Sequence, residues 1–143
     1  LMGVAVAAPL IDGDGKGTLQ AAGSIGAAQL IALGLKETFP EARPDGSDDK
    51  SFPSGHTARS FAAAATLFER QGPEYGLPAF AVATLVGVAR VKADKHYWYD
   101  AVAGAAIGLG AGFLITSKKE SDRVAIIPWG DTKGAGVHIA MRF

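Results

Sequence analysis

The stretch KSFPSGHTARSF, residues 50–61, runs from a proline-bracketed turn into an alanine-rich segment. Its reading decides the fold. Ser54 is a residue type that caps helices, Gly55 lets a backbone come close to a neighbour, and the run that follows has helical patterning to about Arg70. His56 therefore stands in the first turn, beside backbone N–H groups that have no acceptor within the helix. A helix start of this kind is as often plain capping as it is a binding site, so the surrounding chain has to decide between the two.

Upstream, PEARPDGSDDKSFP (residues 40–53) holds three prolines and several turn formers, which is exposed loop chemistry. Before it, Thr18 to Thr38 reads as a helix stopped by Pro40, and residues 1–10 read as the end of another, closed by the Gly/Asp-rich IDGDGKGT. Downstream, QGPEYGLP (71–78) breaks the pattern ahead of a helix from Pro78 to Lys92. A short ADK link leads to a last helix from His96 to Thr116. RVAIIPW and GVHIAMRF, around the turn-rich GDTKGAG, are β-prone and predict a C-terminal hairpin. The expected fold is all-α, a bundle of about five helices with a short C-terminal β-hairpin. Residues 1–120 form the helical domain and 121–143 a tail packed on it.

Composition narrows the function. Fourteen Lys and Arg balance fourteen Asp and Glu, so no global field points to nucleic acid or to an anionic membrane surface, and any charged site must be local. The absence of Cys removes disulfides, thiolate metal sites and cysteine nucleophiles. Small residues, among them 19 Gly, let helices approach closely in water or in lipid. The apolar stretches around 21–35 and 101–116 fall short of the ~20 residues of a membrane span, and neither is read as one. Leu1 to Leu10 lack a basic leader and a cleavage pattern, so they are not read as a signal peptide. The chain opens as if an upstream segment had been removed.

Three clusters fall at loop–helix junctions or helix ends: Lys36 with Arg43, Ser54-Gly55-His56, and Arg90 with His96 and Asp100. Each alone is weak. Lys36 by itself would only complement a helix dipole. His96 and Asp100, four apart on the expected last helix, share a face on which the carboxylate can accept from one imidazole nitrogen and leave the other free to react, though an ordinary surface pair has the same spacing. Tyr97, Trp98 and Tyr99 read as packing or pocket wall. Asp45, Asp48 and Asp49 lack the spacing of a calcium loop and read as a solvated acidic turn.

The order and spacing of these clusters, Lys36-x6-Arg43-Pro44, Pro53-Ser54-Gly55-His56, and Arg90-x5-His96-x3-Asp100, closely resemble the three-part signature of the type 2 phosphatidic acid phosphatase superfamily, which includes bacterial class A acid phosphatases and vanadium haloperoxidases. The resemblance covers residues 36–100. One position departs from it: Ala89 stands where the family usually has Ser. The chemistry agrees with the resemblance. Phosphoryl transfer spreads charge over equatorial oxygens, so it is served by positioned cations and N–H donors. Lys36, Arg43 and Arg90 supply cations, Ser54 a hydroxyl, and Gly55 and His56 backbone donors at a helix start.

The resemblance implies that His96 is the nucleophile forming a phosphohistidine, that Asp100 orients it, and that His56 protonates the leaving group and then activates water. It calls for no metal and no cofactor. His138 has no assigned role. The implied activity is a phosphatase of phosphate monoesters or diphosphates, and the implied partner a phosphorylated lipid or small phosphate ester, with membrane association and without nucleic acid; the oligomeric state is open. The implied place is the bacterial cell envelope on its periplasmic side, membrane-associated or soluble. Glu69, Arg70 and Glu74 interrupt the apolar stretches and weigh against deep insertion. The competing readings are a vanadate-dependent haloperoxidase built on the same pocket and a non-catalytic anion-binding, membrane-associated domain.

Overall fold

The structure, a computed structural model, describes residues 1–118 together with the backbone of residues 124–131 and 134–141. Five helices lie within residues 1–118: α1 Met2–Ile11, α2 Gly15–Thr38, α3 Gly55–Gln71, α4 Pro73–Lys92 and α5 Trp98–Ile115. The all-helical architecture and the number of helices agree with expectation. The backbone of residues 124–131 and 134–141 runs as two antiparallel strands, β1 Val124–Asp131 and β2 Gly134–Met141. The expected packing of this tail on the helices lies outside the described residues.

Local chemistry sets the helix ends. Asp14 caps α2, its carboxylate accepting from Gly17 N at 2.8 Å, so the helix begins ahead of the expected Thr18. Ser54 caps α3 as predicted. The predicted start of α4 at Pro78 is corrected to Pro73: proline is favoured in the first turn, where its missing N–H has no intrahelical partner, and the break falls on Gly72, whose φ is +94°. The predicted start of α5 at His96 is corrected to Trp98. Asp100 reaches back to accept from Tyr97 N at 2.8 Å, which makes Tyr97 the cap and leaves His96 in the preceding loop.

α3 is the central helix, packed against α2, α4 and α5. Among the described residues the buried aliphatic side chains are alanine apart from Leu67, while Leu19, Leu30, Leu85, Val102 and Leu114 are exposed. Helices meet here through small residues. On α5, a Cβ added at Gly104, Gly108 or Gly112 would collide with Ser54 O, Ala58 O or Ala65 Cβ respectively, so α3 lies almost backbone to backbone against it. Hydroxyls cross the bundle as well: Ser24 Oγ lies 2.8 Å from Thr66 Oγ1, which lies 3.1 Å from Thr116 Oγ1. At the same end of α3, Arg70 is ion-paired with Asp14 and donates to Ser117 O at 3.0 Å.

The two apolar stretches read as too short for a span belong to longer apolar helices. Among the described residues three helices are long and apolar enough to cross a membrane: α2 with 24 residues, α4 with 20 and α5 with 18. At 1.5 Å per residue these reach about 36, 30 and 27 Å, against a hydrocarbon core of about 30 Å. Counting contiguous apolar letters misses this because the bulky residues lie on the outward faces and the Gly, Ala and Ser lie inside. Glu69, Arg70 and Glu74 fall on the end of α3 and the first turn of α4, clear of these helices' middles.

Candidate active site

The predicted site residues lie at the C-terminal ends of α2 and α4, at the N-terminal ends of α3 and α5, in the loop of residues 39–54 that ties these ends together and, for His96, in the turn before α5. The loop folds back on itself through main-chain bonds, Glu41 N to Asp49 O at 2.8 Å, Ser51 N to Glu41 O at 2.9 Å and Arg43 N to Asp48 O at 2.9 Å. It is fastened to the α4–α5 turn by Asp45 N donating to Asp94 O at 3.0 Å and by the Lys95–Asp45 ion pair. The acidic turn is therefore structural: Asp45 holds the turn, and Asp48 holds Arg43 Nε at 2.5 Å. Among the described residues no group of three His, Asp or Glu could hold a metal ion.

One carbonyl organises the His96 side. Ser51 O accepts from Lys36 Nζ at 3.2 Å and faces His96 Nδ1 at 2.7 Å. Lys36 also donates to Lys50 O at 2.6 Å, and Arg43 NH1 donates to Lys95 O at 3.2 Å, one residue before His96. Both cations are thus held on main-chain carbonyls beside the imidazole, Lys36 on the one that faces Nδ1 and Arg43 on that of the preceding residue. The expectation that Asp100 is its direct partner is corrected: Asp100 Oδ2 lies 3.7 Å from Nδ1. This carboxylate accepts instead from Ser51 Oγ at 2.6 Å and from Tyr97 N at 2.8 Å, fixing the segments on both sides of the ring. With Nδ1–H given to the carbonyl, Nε2 carries the free lone pair.

Ser51 was not singled out from the sequence. It is fully buried three residues ahead of Ser54, and a small polar residue trapped between Lys50 and Pro53 was the available signal.

Ser54 is also fully buried. Its N–H donates to Asp100 O at 3.0 Å, and its Oγ accepts from Thr57 Oγ1 at 2.9 Å, so the hydroxyl proton remains to be donated. Gly55 opens α3 against α2, where an added Cβ would come 3.4 Å from Gln29 Oε1. His56 is exposed at the rim, and Arg90, whose carbonyl accepts from Lys95 N at 3.1 Å, is carried toward the same end by α4. The Nε of Arg90 is shielded from solvent and has no acceptor.

Electrostatics separates the two imidazoles from their ordinary behaviour. Burial, followed by Lys36 and Arg43, pulls His96 down to about 4, against the opposing influence of the Ser51 carbonyl and Asp100. Burial, followed by Arg90, Arg59, Arg43 and Lys36, pulls His56 below its usual value. Both rings are neutral in an empty site at neutral pH, and the site as a whole is cationic. A phosphate entering it meets a neutral nucleophile and raises the proton affinity of the rim histidine.

The family model for the PAP2 superfamily matches residues 17–122. The chain is similar to a lipid A 1-phosphatase of Porphyromonas gingivalis, 40% identical over 55% of this chain and 18% of that protein, and to a lipid A 4'-phosphatase of Helicobacter pylori, 31% identical over 70% and 56%. A lipid phosphate phosphatase 2 of Arabidopsis thaliana is 42% identical over 56% and 30%. The chain thus spans little more than half the length of these curated relatives at most. Among solved structures, that of Aquifex aeolicus LpxE superimposes with a TM-score of 0.69 at 26% identity, covering 77% of this chain and 72% of that one.

Proposed function

The chain belongs to the PAP2 superfamily, and from that premise we propose that it is a lipid phosphate phosphatase working through a phosphohistidine on His96, without a metal. The observation that carries the proposal is the convergence of Lys36 and His96 on the Ser51 carbonyl, which sets a neutral imidazole among fixed cations. Nε2 of His96 attacks phosphorus, Arg43, Arg90 and Lys36 hold the equatorial oxygens, and the bond to the leaving oxygen breaks as His56 supplies its proton. Water then gives a proton to His56 and displaces His96, releasing orthophosphate.

The substrate proposed is a phosphorylated lipid of the kind named for the relatives, with the helical region of residues 1–120 as the catalytic unit. α2, α4 and α5 are taken as membrane spans, and the site end of the bundle faces the periplasm. The full chain in detergent with EDTA is expected to release phosphate from a lipid phosphate. No release from lipid A, phosphatidic acid or a nitrophenyl ester would overturn the proposal.

The pH dependence has a definite sign. His96 must be neutral to attack, so the acid limb of kcat/KM for a monoester is expected at about 4. His56 must be protonated to act as the acid, and its pKa lies below the ordinary 6.5, so activity falls on the alkaline side beginning under that value. The ratio of His56→Gln to wild-type rates cancels the substrate's own ionisation and is expected to rise with pH. A ratio that stays flat with pH would remove His56 from the acid role.

A further inference from the structure

The site end of the bundle continues into a groove that the mechanism does not use. α4 and α5 both pack on α3 and only lightly on each other, and the space between them is a cavity of about 430 Å³. Its floor lies where Gly87 crosses α3 and α5: a Cβ added at Gly87 would come 3.4 Å from Thr57 Cγ2 and 3.8 Å from Ala101 Cβ. Its walls include Val88 on α4 and Val102 on α5, 45% and 60% exposed, so the groove is open along the side of the bundle. It runs from Lys92 and Trp98 at the site end to Thr84 and Ala105 halfway along the two helices, about 10 Å at 1.5 Å per residue.

The lining changes character along that length. Two hydroxyls border the groove and both donate elsewhere, Thr57 Oγ1 to Ser54 Oγ at 2.9 Å and Thr84 Oγ1 to Phe80 O at 2.9 Å. Among the described residues that line it Lys92 alone is charged, and it stands at the mouth. Such a cleft offers water few partners below the mouth. It is complementary to a molecule that is anionic at one end and hydrocarbon beyond it.

The groove is continuous with the site. Thr57 follows His56 and its hydroxyl holds Ser54, while Trp98 stands two residues beyond His96. In the phosphatase reading the leaving oxygen departs on the His56 side, and that oxygen carries the lipid. The chain attached to it starts beside Thr57, where the groove starts. With α4 and α5 as spans the open side faces the bilayer, so a tail slides in sideways without crossing water. We propose that the first stretch of the substrate's hydrocarbon chain lies in the groove between α4 and α5, and that this groove, rather than the cationic pocket, separates long-chain phosphate esters from chainless ones.

This inference rests on the phosphatase reading above, and one experiment separates the two. The full chain in detergent is assayed on decyl phosphate and on methyl phosphate, which differ only in the chain, and the ratio of the two kcat/KM values is compared between variants. Partition of the decyl chain into micelles is common to all variants and cancels. Val102→Trp fills the groove from its open wall and is expected to lower the ratio by roughly 10-fold, the weight of about two methylene groups losing their burial. Leu114→Trp, at a position 89% exposed on the same helix and outside the groove, is expected to keep the wild-type ratio. Decylphosphonate, which is not hydrolysed, is expected to inhibit the wild type more strongly than methylphosphonate, and Val102→Trp to narrow that gap. A wild-type ratio in Val102→Trp, the result if the groove holds only a bilayer lipid unconnected with turnover, would overturn the inference and leave the phosphatase reading in place. So would an equal fall in Leu114→Trp. A wild type that hydrolyses neither ester overturns both.

Discussion

His96→Ala is expected to lower kcat/KM on any phosphate ester by about 10⁴-fold or more, with the thermal transition moved by only a few degrees. The expectation follows from what the ring does and does not hold. Its Nδ1 is bound to Ser51 O, but that carbonyl keeps Lys36, and Asp100 keeps Ser51 Oγ and Tyr97 N. Removing the imidazole therefore strands no buried polar group, and the loop and the start of α5 stay in place. On the proposed mechanism the lost function is the covalent bond from Nε2 to phosphorus. Residual binding of orthophosphate as a competitive ligand should survive because the cations survive. Turnover above about one tenth of wild type in a correctly folded His96→Ala protein would show that phosphorus is attacked by another group.

The charged and imidazole residues singled out from the letters by order and spacing fall on neighbouring helix ends and the loops that join them. Lys36, Arg43, Arg90, His56 and His96 all lie at the same end of the bundle. What escaped was geometry set by a single hydrogen bond. Tyr97 N donating to Asp100 moves the start of α5 past His96, so the spacing of four no longer means one helix face, and the orienting acceptor becomes a main-chain carbonyl that no side-chain pattern announces. The length of the apolar helices escaped for a related reason. A soluble bundle hides its large apolar residues, whereas here alanine fills the centre and leucine faces out, so a reading based on long apolar runs looks for the wrong pattern.

Gly108→Val is expected to destabilise the protein by about 3 kcal/mol or more and to abolish activity without touching a site residue. A Cβ at Gly108 meets the backbone oxygen of Ala58, with Phe61 Cβ at 2.7 Å and Ala62 N at 2.9 Å. Backbone cannot turn aside as a flexible side chain can, so α5 must move away from α3. That separation acts on the site directly. One turn earlier, Gly104 lies against Ser54 O, and the Ser54 N to Asp100 O bond at 3.0 Å joins the start of α3 to the start of α5. Widening the seam pulls His56 and the helix N-terminus of α3 away from His96. The control lies two residues further along the same helix, where Gly110 has nothing within 4 Å of an added Cβ. Gly110→Ala should keep full activity and gain up to about 1 kcal/mol, because alanine loses less backbone freedom in a helix than glycine does. Thermal melts and phosphate release measured together on the two variants distinguish a specific close approach from a general intolerance of α5 to larger residues. If Gly108→Val melts like wild type, the two helices do not meet through their backbones, and the site that depends on their contact must be assembled differently.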